Sequence, residues 1–293
     1  MAKKVTGILA PICTPFVDQE VSIAHLQENV RTYKNSPLAG YFVLGSNGEN
    51  KGMTEKEKLA VLETVVSERD SRQLVLAGAG YESTRQTIAF SKKAAELGAD
   101  FVSIITPSYF KKRLTDEVMV RYYSDVADAL SIPVFVYNAP GFTGMTVSPG
   151  VIEKLSQHPN IAGMKDTSPA NMSAYLSVAA ENFDILSGTV STLFHAMVLG
   201  AKGGVVSLAN AFPAPCCKLY EKFMAGDLDG ARRLHFKLFR LNRAVSGSYG
   251  VAGVKYAMQL GGFYGGDPRL PLLPIPEEGK ESIEKALKTA GIL

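Results

Sequence analysis

Residues 40–78 contain one full repeat of the pattern that decides the fold: GYFVLG (40–45), then TEKEKLAVLETVVSERD (54–70), then QLVLAG (73–78). The first and last stretches are short apolar runs closed by glycine, the signature of a strand buried on both faces. The middle stretch is helical. Leu59, Leu62, Val65 and Val66 recur at helical spacing, and Thr54 with Glu57 forms a capping box at its start. Further apolar runs lie at 5–10 (VTGILA), 100–106 (DFVSIIT), 133–138 (PVFVYN), 161–166 (IAGMKD), 184–188 (DILSG) and 203–208 (GGVVSL). Helical patterns separate most of them; one, STRQTIAFSKKAAELGAD (83–100), is stopped by Gly98. Strand then helix, repeated with short loops, implies parallel strands and right-handed crossovers. Eight strands by about residue 208 give an α/β fold, a (β/α)8 TIM barrel. A doubly wound open sheet is the alternative, but regular units and no obvious second domain favour the barrel. Residues 1–225 are assigned to the barrel and 226–293 to a C-terminal helical appendage packed on it.

The 293 residues are 46% hydrophobic, ample for a large core, and the net charge of +3 suggests no polyanionic partner. The three cysteines, Cys13, Cys216 and Cys217, are odd in number and two are adjacent. They make no disulfide framework and point to a reducing compartment, the cytoplasm. The opening MAKKVTGILAPICTPF has a charged tip and a short apolar run broken by Pro11, which reads as the first buried strand rather than a signal peptide or membrane span. ARRLHFKLFRLNR (231–243) is a basic amphipathic helix. It is read as core-facing with a solvated basic face; membrane or nucleic-acid binding is the alternative. The expected partner is therefore a small molecule, not a nucleic acid or a membrane.

In a (β/α)8 barrel the active site forms at the C-terminal ends of the strands. Strand two is followed by Ser46, Asn47 and Glu49, and strand four by Tyr109. Strand five ends in Tyr137 and Asn138, strand six in Lys165, strand seven at Gly188, and strand eight in Val206, Ser207 and Asn210. His25, His158, His195 and His235 are scattered through helices and loops with no metal-binding spacing, so neither metal nor cofactor is expected. A lysine in an apolar mouth has a depressed pKa, because desolvation disfavours its ammonium. The neutral amine attacks ketones to form a Schiff base. Tyr137, one strand away, is placed to shuttle protons, with Tyr109 and Ser46 completing a hydroxyl chain. The backbone N–H groups of the Ser46–Asn47 turn suit a carboxylate. Each residue has a plainer reading: Lys165 as a solvated rim lysine, Tyr137 as a core aromatic, Glu49 as a helix cap, Gly78 and Gly80 as a turn, and Cys216–Cys217 as helix packing.

GSNGE (45–49), TPSY (106–109), YNAP (137–140), GMKD (163–166) and GGVVSLAN (203–210) follow in one order and spacing. Together they resemble the pyruvate-dependent class I aldolases that include N-acetylneuraminate lyase and dihydrodipicolinate synthase, nearly end to end. LSQHPNIAGMKD (155–166) and GGFYGGDPRLPL (261–272) look most like 4-hydroxy-2-oxoglutarate aldolase. The resemblance implies Lys165 as the Schiff-base lysine, Tyr137 as acid and base, and Ser46 with Asn47 on the pyruvyl carboxylate. It implies Tyr109 reaching into a neighbouring subunit, hence a homotetramer built as a dimer of dimers, and a Val206 carbonyl facing the site. The synthase branch carries an arginine five residues after the catalytic tyrosine, where this chain has Phe142, and usually a tyrosine where this chain has Ser108. A phenyl ring cannot grip a carboxylate as a guanidinium does.

The resulting expectation is a lyase cleaving a 2-keto-4-hydroxy acid, such as 4-hydroxy-2-oxoglutarate or a 2-keto-3-deoxy sugar acid, to pyruvate and an aldehyde. Ala139, Phe142, Thr167, Ser168, Gly188 and Ser207 would read the aldehyde; the plainer role for Thr167 and Ser168 is to cap the next helix. Dihydrodipicolinate synthase, a keto-acid dehydratase using the same imine, and a keto-acid-binding barrel without turnover are the alternatives.

Overall fold

The structure is a computed structural model that describes residues 4–168 and 170–292. The charged tip Met1–Lys3, Pro169 and Leu293 lie outside the described residues.

Eight parallel strands close into a barrel: β1 Gly7–Ala10, β2 Gly40–Val43, β3 Leu74–Gly78, β4 Phe101–Ile105, β5 Val134–Asn138, β6 Ile161–Asp166, β7 Asp184–Ser187 and β8 Gly203–Val205. Each pairs with its sequence neighbours, and β8 returns to β1 through Gly7 opposite Gly203. The main helices between strands are α1 Ile23–Lys34, α2 Glu55–Glu68, α3 Thr84–Glu96, α4 Asp116–Asp128, α5 Pro149–Leu155, α6 Met172–Val178 and α7 Val190–Leu199; α8 Pro213–Met224 follows β8. The capping box opens α2: the Glu57 N–H donates to Thr54 Oγ1 at 3.3 Å, and Glu57 Oε2 accepts from the Thr54 N–H at 2.8 Å.

The strands are apolar on both faces because both faces are covered. Leu9, Phe42, Leu76, Phe101, Phe135, Tyr137, Leu186 and Val205 form a buried cluster of alternating strand residues, separate from the cluster that packs the helices onto the barrel. Gly163, two residues before Lys165 on β6, lets the neighbouring strands pack closely: a Cβ there would stand 2.7 Å from the Phe135 ring and 2.1 Å from the Asp184 carbonyl.

Two local features depart from the sequence reading. Between β1 and α1 lies a small antiparallel hairpin, Phe16–Val17 with Glu20–Val21. Asp18 and Gln19 turn it with φ of 49° and 69°, the left-handed pair that a two-residue hairpin of the I′ type requires. Strand eight stops at Val205, and Ser207–Asn210 coil into a 3₁₀ turn.

The remaining helices are α9 Leu228–Asn242, α10 Ser248–Leu260 and α11 Glu277–Ala290, with a π-helical step over Arg243–Gly247 between α9 and α10. Helix α9 is the basic amphipathic stretch. It buries Leu238 and Leu241 against α7, α8 and α11 and leaves its arginines outside, the core-facing arrangement. Helix α10 packs against the 3₁₀ turn after β8, and residues 269–272 beyond it reach the barrel mouth. No described helix is long and apolar enough to cross a membrane.

Candidate active site

Strand register sets the centre of the site. Tyr137 on β5 lies opposite Lys165 on β6, and Asn138 opposite Asp166. Paired residues on neighbouring strands point to the same face. Lys165 is only 4% exposed. Its Nζ lies 4.2 Å from the centroid of the Tyr137 ring and 4.5 Å from that of Phe42. Those rings meet edge to face at 5.4 Å. Burial pulls the Lys165 pKa down from 10.5 to about 7. The plainer reading of Lys165 as a solvated rim residue does not describe it.

The Tyr137 hydroxyl stands 3.4 Å from Ser46 Oγ, long for an O–H···O bond. Burial pushes the phenol up to about 12, opposed in part by that contact. At neutral pH the phenol is therefore protonated and able to donate. Ser46 belongs to a tight turn in which the Gly48 N–H donates to the Gly45 carbonyl at 3.1 Å and the Glu49 N–H to the Ser46 carbonyl at 3.0 Å. Among the described residues the Ser46 and Asn47 N–H groups have no partner, and Asn47 Nδ2 is buried without one. Such a turn offers several donors to one anionic group.

A cavity of about 490 Å³ opens at this end of the barrel. Ser46, Tyr137 and Phe142 line it, with Phe42, Glu49, Lys51, Gly78, Gly80, Thr106, Ser108 and residues 269–272. Lys165 is not part of the lining; it touches the cavity through the shared rings of Phe42 and Tyr137. Gly78 and Gly80 belong to the wall. Gly78 is needed because a Cβ would stand 2.3 Å from the Leu44 carbonyl.

Other expected residues lie off the cavity. Tyr109 is 80% exposed, on a loop whose Ser108 and Tyr109 N–H groups donate to the Glu82 carboxylate. Within one chain it therefore does not join Tyr137 and Ser46. Thr167 neither faces the cavity nor caps a helix: its hydroxyl and its N–H both donate to the Asn138 carbonyl at 3.0 Å. Ser168 is bound to Asp166 through its hydroxyl and N–H. Gly188 serves close packing, since a Cβ would meet Thr167 Cγ2 at 2.3 Å, and its N–H donates to the Asp166 carbonyl at 2.6 Å. The Val206 carbonyl accepts from the Ala209 N–H at 3.0 Å, and Ser207 opens the 3₁₀ turn rather than ending the strand.

Two supports escaped the sequence reading. Asn138 donates to Asp166 Oδ1 at 2.8 Å and accepts from the Val147 N–H at 3.0 Å, tying β5 to β6 beside the Tyr137–Lys165 pair. Glu49 stands at the N-cap position of the short 3₁₀ turn Asn50–Gly52, but its side chain makes no capping bond; its Oε1 pairs with Lys255 Nζ of α10 at 2.7 Å, and both side chains are buried. The signal for Lys255 was present in GVAGVKYAM, a lysine inside an apolar helix. Among the described residues no group of three or more His, Cys, Asp or Glu is placed to hold a metal. Cys216 and Cys217 are buried free thiols in α8, the helix-packing role.

A closed (β/α)8 barrel with a desolvated lysine beside a protonated phenol is built as a class I aldolase. The family model described as "Dihydrodipicolinate synthetase family" matches residues 4–290. The chain is similar to the 4-hydroxy-tetrahydrodipicolinate synthase of Geobacter sulfurreducens, 34% identical over 284 residues and covering 96% of this chain and 97% of that one. It is similar in structure to a dihydrodipicolinate synthase from Thermotoga maritima, with a TM-score of 0.94 and 28% identity over 99% of this chain and 100% of that one. It also resembles YagE, an E. coli K12 prophage protein of the dihydrodipicolinic acid synthase family solved with pyruvate, with a TM-score of 0.92 and 26% identity over 98% of this chain and 99% of that one. The chain belongs to the dihydrodipicolinate synthase family and is a pyruvate-dependent class I lyase. These relatives carry the synthase name, not that of 4-hydroxy-2-oxoglutarate aldolase, the branch expected from the sequence motifs.

Proposed function

We propose that the enzyme joins pyruvate to an aldehyde through an imine on Lys165. The burial of the Lys165 amine beside the Tyr137 ring is the observation that carries this reading. Neutral Nζ attacks C2 of pyruvate. Tyr137 donates a proton as the carbinolamine loses water, leaving a protonated imine. That imine withdraws electrons, C3 loses a proton, and the enamine adds to the aldehyde carbon of the second substrate. The Ser46 and Asn47 N–H groups take the pyruvyl carboxylate, and the Ser46 hydroxyl relays protons to Tyr137. Hydrolysis of the product imine restores Lys165.

For the second substrate, the names of the relatives support aspartate semialdehyde, making the reaction 4-hydroxy-tetrahydrodipicolinate synthesis. Phe142 favours a second reading. It stands at the cavity wall, 71% exposed, where the synthase pattern places an arginine. Without that cation the same imine would serve the reverse cleavage of a 2-keto-4-hydroxy acid, or its dehydration. We further propose a cytoplasmic homotetramer in which Tyr109 completes the site of a neighbouring subunit, consistent with its exposure in the single chain.

Borohydride reduction in the presence of pyruvate, followed by peptide mass spectrometry, tests the imine: a reduced pyruvyl adduct on Lys165 is expected, and an adduct elsewhere, or none, overturns the reading. Product analysis then separates the chemistries. Consumption of aspartate semialdehyde with pyruvate supports synthesis. Release of pyruvate and an aldehyde from 4-hydroxy-2-oxoglutarate, with no reaction of the semialdehyde, supports cleavage.

A further inference from the structure

The Ser46–Asn47 turn is held from outside the barrel. Glu49, the residue that closes it, has φ of 54°, a left-handed conformation that a residue with a side chain adopts only when its surroundings impose it. Its carboxylate meets the C-terminal appendage at both oxygens, through an ion pair at Oε1 that lacks hydrogen-bond geometry and a hydrogen bond at Oε2. Lys255 Nζ stands 2.7 Å from Oε1, and the Arg269 N–H donates to Oε2 at 2.8 Å. Lys255 is fully buried, donates to the Asp267 carbonyl at 2.9 Å, and lies 4.5 Å from the centroid of the Phe16 ring. Arg269 crosses the same ring and reaches Glu57 and the Gly52 carbonyl on the far side of the turn. Taking two charges out of water is costly, and apolar side chains fill such space at less cost. A buried pair that grips one turn beside a reactive lysine calls for a role other than stability.

We propose that the Glu49–Lys255 ion pair is a positioning device that fixes the Ser46–Asn47 turn in the shape that receives the keto-acid carboxylate. The inference rests on the reading of that turn as the carboxylate site. Although Glu49 borders the cavity, its carboxylate and the Lys255 ammonium are committed to each other and are assigned no part in the reaction. They act through the Glu49 backbone, whose N–H donates to the Ser46 carbonyl at 3.0 Å, and so through Ser46 on Tyr137. The appendage is then part of the active site's frame.

The test is borohydride trapping across a range of pyruvate concentrations with the full chain, alongside its Tm. Two variants are used: Glu49→Gln, which keeps the shape of the side chain, and Glu49→Gln with Lys255→Met, which leaves neither charge buried alone. Half-saturating pyruvate is expected to rise at least about tenfold in both, about 1.4 kcal/mol, while the saturated rate falls by less. A purely structural pair would change Tm and leave half-saturation where it was. Half-saturation within about twofold of the unaltered protein, in either folded variant, overturns the proposal on its own. No trapping in the unaltered protein overturns the imine reading and this inference with it.

Discussion

The depressed Lys165 pKa has a consequence that can be measured in two independent ways. Burial lowers it from 10.5 to about 7. At about 1.4 kcal/mol for each pH unit, burial disfavours the ammonium by about 5 kcal/mol. The faces of Phe42 and Tyr137 oppose this, each offering about 1 kcal/mol of cation–π attraction. Burial wins, and the amine is expected to titrate at about 7. The rate of borohydride trapping with pyruvate should therefore climb about tenfold per pH unit below that point and level off above it. Stability should follow from the same shift. Between the folded and the unfolded pKa the unfolded chain binds a proton that the folded chain does not, so stability rises with pH from about 7 to 10.5. The cost of burying the lysine is fully present below that window and absent above it. Lys165→Met should thus be more stable than the unaltered protein at neutral pH, by up to about 3–5 kcal/mol. The advantage should fade as pH approaches 10.5. Denaturant unfolding at several pH values measures it. A trapping profile still rising at pH 10, or a methionine variant with no stability gain at pH 7, would show that the Lys165 amine is not desolvated in this way.

Tyr137→Phe keeps the ring against Lys165 and removes the proton donor; trapping should survive while turnover drops roughly two to four orders of magnitude, the usual size of an acid–base contribution. Full turnover in that variant would end the assignment. Phe142→Arg should lower the half-saturating concentration of an aldehyde bearing a distal carboxylate by roughly tenfold or more, the worth of a charge-assisted hydrogen bond. An unchanged value would place that carboxylate elsewhere. Cys13, Cys216 and Cys217 are buried, and desolvation raises all three thiol pKa values. The native protein should resist a thiol-reactive dye at pH 8, and the unfolded chain should take up label at all three; rapid native labelling of any one would contradict its burial.

The local code was strong enough to give the barrel. Short runs such as GYFVLG and PVFVYN are apolar throughout, so both faces must be covered, and helices such as 54–70 carry their own caps and an apolar stripe. Those are properties of neighbours in the chain. The same logic made Lys165 legible, since an ammionium-bearing side chain in an apolar strand demands a reason, and Tyr137 followed from strand order. What the sequence could not supply was which polar groups find each other across the fold. Thr167, Gly188 and Val206 sit at the right end of the barrel, yet hydrogen bonds and close packing with Asn138, Asp166 and Ala209 occupy them. Tyr109 is on the right loop, yet points to solvent in the single chain. Glu49 and Lys255 are more than two hundred residues apart, and nothing local distinguishes a helix-capping glutamate from one held by a buried ammonium. Periodicity and burial are written residue by residue. The partner of a charge is decided only when closing the barrel and docking its C-terminal helices remove water and bring distant side chains within reach.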